Sequence, residues 1–171
     1  MMMNKSKWLL WSSLTLLIIL IALGIYGIVL YNNLYDSKTA GFDETSRQIL
    51  SQTSITEIEK IEQYNGSAAY HVLFGKNDAN EEKLIFYPLE GNEKSLTTID
   101  KSEILTEEEI IERWQAECDS CELIKVTPAL EENEALWEIA YNDMNDDYVL
   151  DYKSIYDGSD VHMYRFKRMF N

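Results

Sequence analysis

Apolar positions in this 171-residue chain fall into one unbroken run followed by several short alternating stretches. The run begins at Trp8-Leu9-Leu10-Trp11 and continues through SSLTLLIILIALGIYGIVLY to Tyr31, with no charge inside it. About 20 apolar residues suffice to cross a bilayer. Residues 8–31 therefore predict a transmembrane anchor behind a short segment, residues 1–7. Trp8, Trp11 and Tyr31 stand at its ends, where amphipathic rings favour the membrane–water interface.

Charge placement orients the run. Lys5 and Lys7 precede it and no acid occurs before Asp36. The positive-inside rule then leaves the N-terminus in the cytoplasm and exports the rest of the chain. Ala22-Leu23-Gly24 offers a weak small-x-small cleavage site. The apolar run continues well beyond it, however, which favours an uncleaved anchor over a signal peptide. No cysteine lies near the end of the run, which argues against a lipoprotein cleavage site.

After the anchor, two segments about 65 residues apart read alike. Each gives a helix, a strand, an alternating strand, a polar turn and another alternating strand. The first helix is expected over about Phe42 to Ser51. The second has the sharper start. Thr106 and Glu109 form a T-x-x-E capping box, with Leu105 and Ile110 at the staple positions. Glu107, Glu108 and Glu109 complement the positive end of the helix dipole. Ile110, Ile111 and Trp114 make its apolar stripe.

The strands alternate with period two. Tyr70, Val72 and Phe74 share a face, followed by Leu84 and Phe86. Trp137, Ile139 and Tyr141 share another, followed by Tyr148, Leu150 and Tyr152. The last strand carries His162, Tyr164 and Phe166 on one face, after a turn at Gly158. Glu138 beside Ile139 gives that sheet one polar-looking face, which fits an antiparallel sheet with one side on a helix and one side wet. The expected fold is α+β: an N-terminal transmembrane helix and two tandem small units, each one helix on an antiparallel sheet. The units are expected over 36–100 and 103–171, with the boundary near TTIDKSE. Each is small enough that the pair should pack together.

Composition narrows the function. All 30 acids but only 13 of the 15 basic residues follow the anchor, giving that part a net charge of −17. Such a balance opposes nucleic acid, whose binding rests on neutralising phosphates. It equally opposes adhesion to anionic lipid.

The two cysteines, Cys118 and Cys121, have C-x-x-C spacing. A redox pair of this kind sits at a helix N-terminus, where the dipole lowers the thiol pKa. Here the pair follows the C-terminal end of the second helix, among Glu117, Asp119 and Glu122. Every nearby fixed charge disfavours a thiolate. Zinc would need further ligands, and His71 and His162 lack metal-like spacing. A short disulfide or two quiet thiols remain, and an exported location favours the disulfide. Asp143, Asn145 and Asp147 mimic the start of a calcium loop. Tyr148 stands where that loop needs glycine, and Ser154 where it needs glutamate. No nucleophile, zinc-protease or penicillin-binding motif occurs. Neither an enzyme activity nor a cofactor is expected. Arg165, Phe166, Lys167 and Arg168 form the basic cluster of the exported part. They read as a partner-docking patch or as an edge strand guarded by charge.

The order of anchor and two helix-plus-sheet units, with LTEEEIIERW followed by LWEIAY and YVLDYKSIYDG, resembles the membrane-anchored TseB-like (YpmB-like) family of Gram-positive bacteria. That family is built from tandem PepSY-like, cystatin-like domains. The resemblance implies a non-enzymatic accessory protein of cell elongation. Its implied partner is an elongation-type penicillin-binding transpeptidase, whose peptidoglycan synthesis it modulates. PepSY-like domains in protease propeptides suggest an alternative, a regulator of an extracytoplasmic peptidase. The C-x-x-C pair and the basic C-terminal end depart from the family pattern.

Overall fold

The computed structural model describes residues 5–91, 95–118 and 120–167, apart from the side chains of 5–10 and 33–38. Helix α1 spans Lys5–Lys38. Its stretch Trp11–Asn32 has a mean hydropathy of 2.6 and is wholly exposed. A helix apolar all round has no polar face to turn to water, which is compatible with a membrane anchor. Trp11 and Tyr31 are exposed on it, while the side chain of Trp8 lies outside the described residues. Residues 1–40 form one unit and residues 41–171 a second.

In the second unit, helix α2 (Phe42–Gln52) leads into four strands: β1 (Ile55–Asn65), β2 (Ala69–Asn77), β3 (Glu82–Pro88) and β4 (Thr97–Asp100). A 3-10 turn at Lys101–Glu103 precedes helix α3 (Glu107–Glu117). Strands β5 (Glu122–Glu131), β6 (Glu134–Asn142), β7 (Tyr148–Ser154) and β8 (Asp160–Phe166) come next. The architecture is thus α+β with two tandem helix-plus-sheet domains. Each sheet is an antiparallel meander in chain order, β1-β2-β3-β4 and β5-β6-β7-β8.

Local chemistry sets the element ends. Thr106 Oγ1 accepts from the Glu109 amide while the Glu109 carboxylate accepts from the Thr106 amide, completing the capping box. Gly41, at φ +82°, begins α2 in a left-handed conformation that side chains disfavour. The β5–β6 hairpin turns on Glu132 and Asn133, both at positive φ. A two-residue loop of this kind matches the twist of the paired strands.

TTIDKSE contains β4 and the 3-10 turn, so the segment expected as a boundary contributes the edge of the first sheet. The first sheet is covered on both faces. Leu73, Ile85 and Tyr87 point to α2 and cluster with Ile49 and Ile55. Val72, Leu84 and Phe86 point the other way, into a cluster with Ile110, Trp114, Trp137, Ile139 and Val149 of the second half. The two halves share one core. Fully burying a side chain such as Phe86 contributes about 1.5–3 kcal/mol, so neither half keeps its full burial without the other.

One buried charge belongs to this core. Lys153 is 1% exposed, and its Nζ bonds Glu117 at 2.8 Å, Asp160, and Asp151 at 3.6 Å. Burial works against the ammonium, but Asp160, Glu117 and Asp151 outweigh it and hold its pKa above the ordinary value. Burial pushes the carboxyl of Asp151 up, despite Lys153. Replacing Lys153 by Met leaves Asp151 buried without its counter-charge. Urea unfolding should show a loss of about 3 kcal/mol at neutral pH. A carboxyl with a raised folded pKa costs stability only when ionised, so the deficit should shrink as the pH falls and Asp151 protonates.

Candidate interaction surface

The two sheets are tied at one corner by polar contacts. Tyr64, near the end of β1, donates to Glu131 Oε1 at the end of β5 at 2.5 Å. The amide of Ser67 donates to the same oxygen at 3.0 Å. The latch depends on Gly66. A Cβ there would overlap Glu131 Oε1 and the Tyr64 hydroxyl. Burial and the Glu131 hydrogen bond push the Tyr64 phenol well above its usual pKa, so it remains a donor. Burial alone would raise Glu131, but the bonds from Ser67 and Tyr64 outweigh it and hold the carboxyl below its usual range. On the neighbouring strand pair Tyr152 donates to Glu138.

Beside the latch the sheet turns aromatic. His162 stacks on Tyr152 with ring centroids 4.3 Å apart. Tyr164 meets His162 edge-on at 5.2 Å, and Tyr148 lies 6.2 Å from Phe166. Tyr164 and Phe166 are 54% and 52% exposed. A hollow of about 160 Å³ opens between Glu131, Glu132, Glu134, Val161, His162 and Tyr164. A larger groove of about 520 Å³ runs between the halves. Phe74, Ile104, Leu105 and Trp137 line it, with Lys60 and Lys101 each within 6 Å of the Phe74 ring centre.

The residues singled out in the sequence fall in three places. Cys118 and Cys121 are joined in a disulfide at the end of α3, Cα atoms 5.5 Å apart, and pack partly buried against the shared core. Arg165 is paired with Asp143, so its charge faces its own sheet. Phe166 and Lys167 line a shallow hollow with Asn142, Asp146 and Tyr148. Arg168 lies outside the described residues. Asp143 is fully engaged: one oxygen accepts from the amides of Asn145 and Asp147 at 2.8 and 3.0 Å, and the other pairs with Arg165. The supposed calcium loop is thereby an Asx turn. Among the described residues no group of three His, Cys, Asp or Glu side chains is placed to hold a metal.

Thr45 Oγ1 and His71 Nδ1 are 2.7 Å apart. Thr45 lies on α2 and His71 on β2, both buried where the two elements meet, with Phe42 edge-on to the imidazole. The pair pins the helix to β2 and presents no reacting group to a substrate. Sequence reasoning missed Tyr64, Glu131 and Lys153. The signal available was YNGSA, a glycine turn in which Gly66 is the constrained residue.

Residues 44–88, covering most of α2 and all of β1–β3, match the family described as a cell wall elongation regulator TseB-like domain. This match is consistent with the family resemblance read from the sequence. The fold has a counterpart in the YpmB protein from Bacillus subtilis. That structure aligns over 74% of this chain and 98% of its own length, at a TM-score of 0.66 and 19% identity. A Clostridium difficile 630 chain assigned as a lipoprotein aligns over 72% of this chain and 91% of its own, at a TM-score of 0.36 and 10% identity. No curated protein matches the sequence significantly.

The latch makes a sharp test. Glu131→Gln should lose about 1–2 kcal/mol in chemical unfolding at neutral pH, and Gly66→Ala should lose a similar amount. A carboxyl held below its usual pKa contributes fully above the ordinary carboxylate pKa and progressively less as pH falls through its folded value. The gap between wild type and Glu131→Gln should therefore close in acid.

Proposed function

We propose that this chain is a non-enzymatic, membrane-anchored regulator of cell-wall elongation that binds and modulates an elongation-type penicillin-binding transpeptidase. The observation that carries the reading is the TseB-like match over residues 44–88. The apolar α1 supports it by offering an anchor. In this reading residues 8–31 cross the membrane and residues 1–7 stay in the cytoplasm. The units 36–100 and 103–171 lie outside, beside a transpeptidase anchored in the same membrane. Shared tethering raises the effective concentration of both partners, so a modest interface suffices. The exposed aromatic surface supplies the rigid, amphipathic rings that interfaces favour.

The test is photocrosslinking in cells, with probe amino acids at Tyr164, Phe166 and Leu50 of the intact chain. Recovery of a penicillin-binding protein is expected from at least one of these positions. Recovery of a peptidase instead would replace this reading with peptidase regulation.

A further inference from the structure

Helix α3 ends without the usual stop signals. No basic residue lies in its last turn, and no glycine follows it in CDSC. A left-handed glycine commonly satisfies the free carbonyls at such an end. The final residue is Glu117, an acid at the negative pole of the helix dipole. Local chemistry therefore favours fraying. The end is nonetheless wound, with the Cys118 amide donating to the Trp114 carbonyl at 3.0 Å.

Two contacts hold it there. The Lys153 ammonium donates to the Glu117 carboxylate at 2.8 Å. One residue further on, the Cys118–Cys121 disulfide closes the next turn, in which the Cys121 amide donates to the Cys118 carbonyl at 3.4 Å. The two contacts are adjacent in the chain, so fixing Cys118 also fixes Glu117. The carboxylates that meet Lys153 have different origins. Asp151 belongs to β7 and Asp160 to β8, strands already paired with each other. Glu117 arrives from α3, and its side chain is 58% exposed over a lysine that is 1% exposed.

We infer that the Cys118–Cys121 disulfide is a redox-sensitive staple that decides whether Glu117 stays over Lys153. A dithiol reductant opens it. One thiolate of the reductant attacks a sulfur of the pair, the Cys118–Cys121 bond breaks, and a mixed disulfide forms. The second thiol of the reductant then displaces that sulfur. Two electrons and two protons end on Cys118 and Cys121 as thiols, and the reductant leaves as a disulfide. Glu117 and Glu122 flank the pair and oppose both the incoming and the departing thiolate, so the closed form is the resting state. The closed loop is short, and the stabilisation from closing it is correspondingly small. Opening is thus a local event at the end of α3, while Ile110 and Trp114 keep the rest of the helix in the shared core. The inference is independent of which enzyme the chain regulates.

The experiment uses the full chain in detergent in three forms: oxidised, reduced by dithiothreitol and then desalted, and carrying Cys118→Ser with Cys121→Ser. Amide hydrogen exchange is read by mass spectrometry, and the exposure of Lys153 by its acylation with N-acetoxysuccinimide. In the reduced and double-serine forms, exchange over residues 115–121 should rise about tenfold. Acylation of Lys153 should accelerate with it, and exchange in α2 should stay unchanged. Glu117→Gln in the oxidised chain should expose Lys153 without any reductant, and reduction should then add little. Lys153 equally unreactive in all three forms overturns the inference. So does exchange rising equally in α2 and α3, which would make the disulfide a support of the whole fold. A full response of Lys153 to reduction in Glu117→Gln also overturns it, because the effect would then bypass Glu117.

Discussion

Val72, Leu84 and Phe86 leave the first sheet on one side, Leu73, Ile85 and Tyr87 on the other, and all six are buried. A four-stranded sheet accompanied by a single short helix can cover only one of its faces. The second half must supply the other cover, and it does so with α3 and the inner residues of β5–β7. Much of the remaining architecture answers that demand. The Tyr64–Glu131 latch closes a corner of the joint, and the groove over Phe74 and Trp137 marks where the two halves part again.

Electrostatics are arranged around the same joint. The part beyond α1 carries a large negative charge, yet its cations are largely engaged by its own acids. Lys153 is sunk among three carboxylates, and Lys83 bridges Glu81 and Asp100. The expected basic patch is much reduced once Arg165 pairs with Asp143. The surface left exposed near the C-terminal strand is aromatic more than basic. A surface of that kind recognises partners through shape and apolar contact, with charge serving mainly to keep the rest of the molecule soluble.

Period-two alternation and the capping box made the strands and α3 legible from sequence, because both signals are local. Two-sided burial of the first sheet was written just as plainly in HVLF and LIFY, where both parities are apolar. That pattern is easily read as an alternating strand with an extra hydrophobe, whereas continuous apolarity signals cover on both faces. Tyr64 and Glu131 were not legible, since they lie 67 residues apart and each alone reads as an ordinary strand end. Lys153 likewise sits in YVLDYKS as an apparent surface lysine, and only the fold reveals the acids converging on it. The supposed calcium loop shows the converse: correct spacing of oxygens, already consumed by backbone amides and an arginine.

The meander order of both sheets has a kinetic consequence. Every strand pairs with its sequence neighbour, so each hairpin can close as soon as its own residues are available, without waiting for distant chain. Low contact order of this kind favours rapid formation. The shared core works against it for the first half. Until α3 and β5–β7 arrive, Val72, Leu84 and Phe86 lie on an uncovered face, the state in which partly made domains are most prone to stick. A chain synthesised from its N-terminal helix onward exposes this face for the time needed to deliver the next 60 or so residues, a few seconds at about 5–20 residues per second. The vulnerable moment in the life of this protein is thus its emergence.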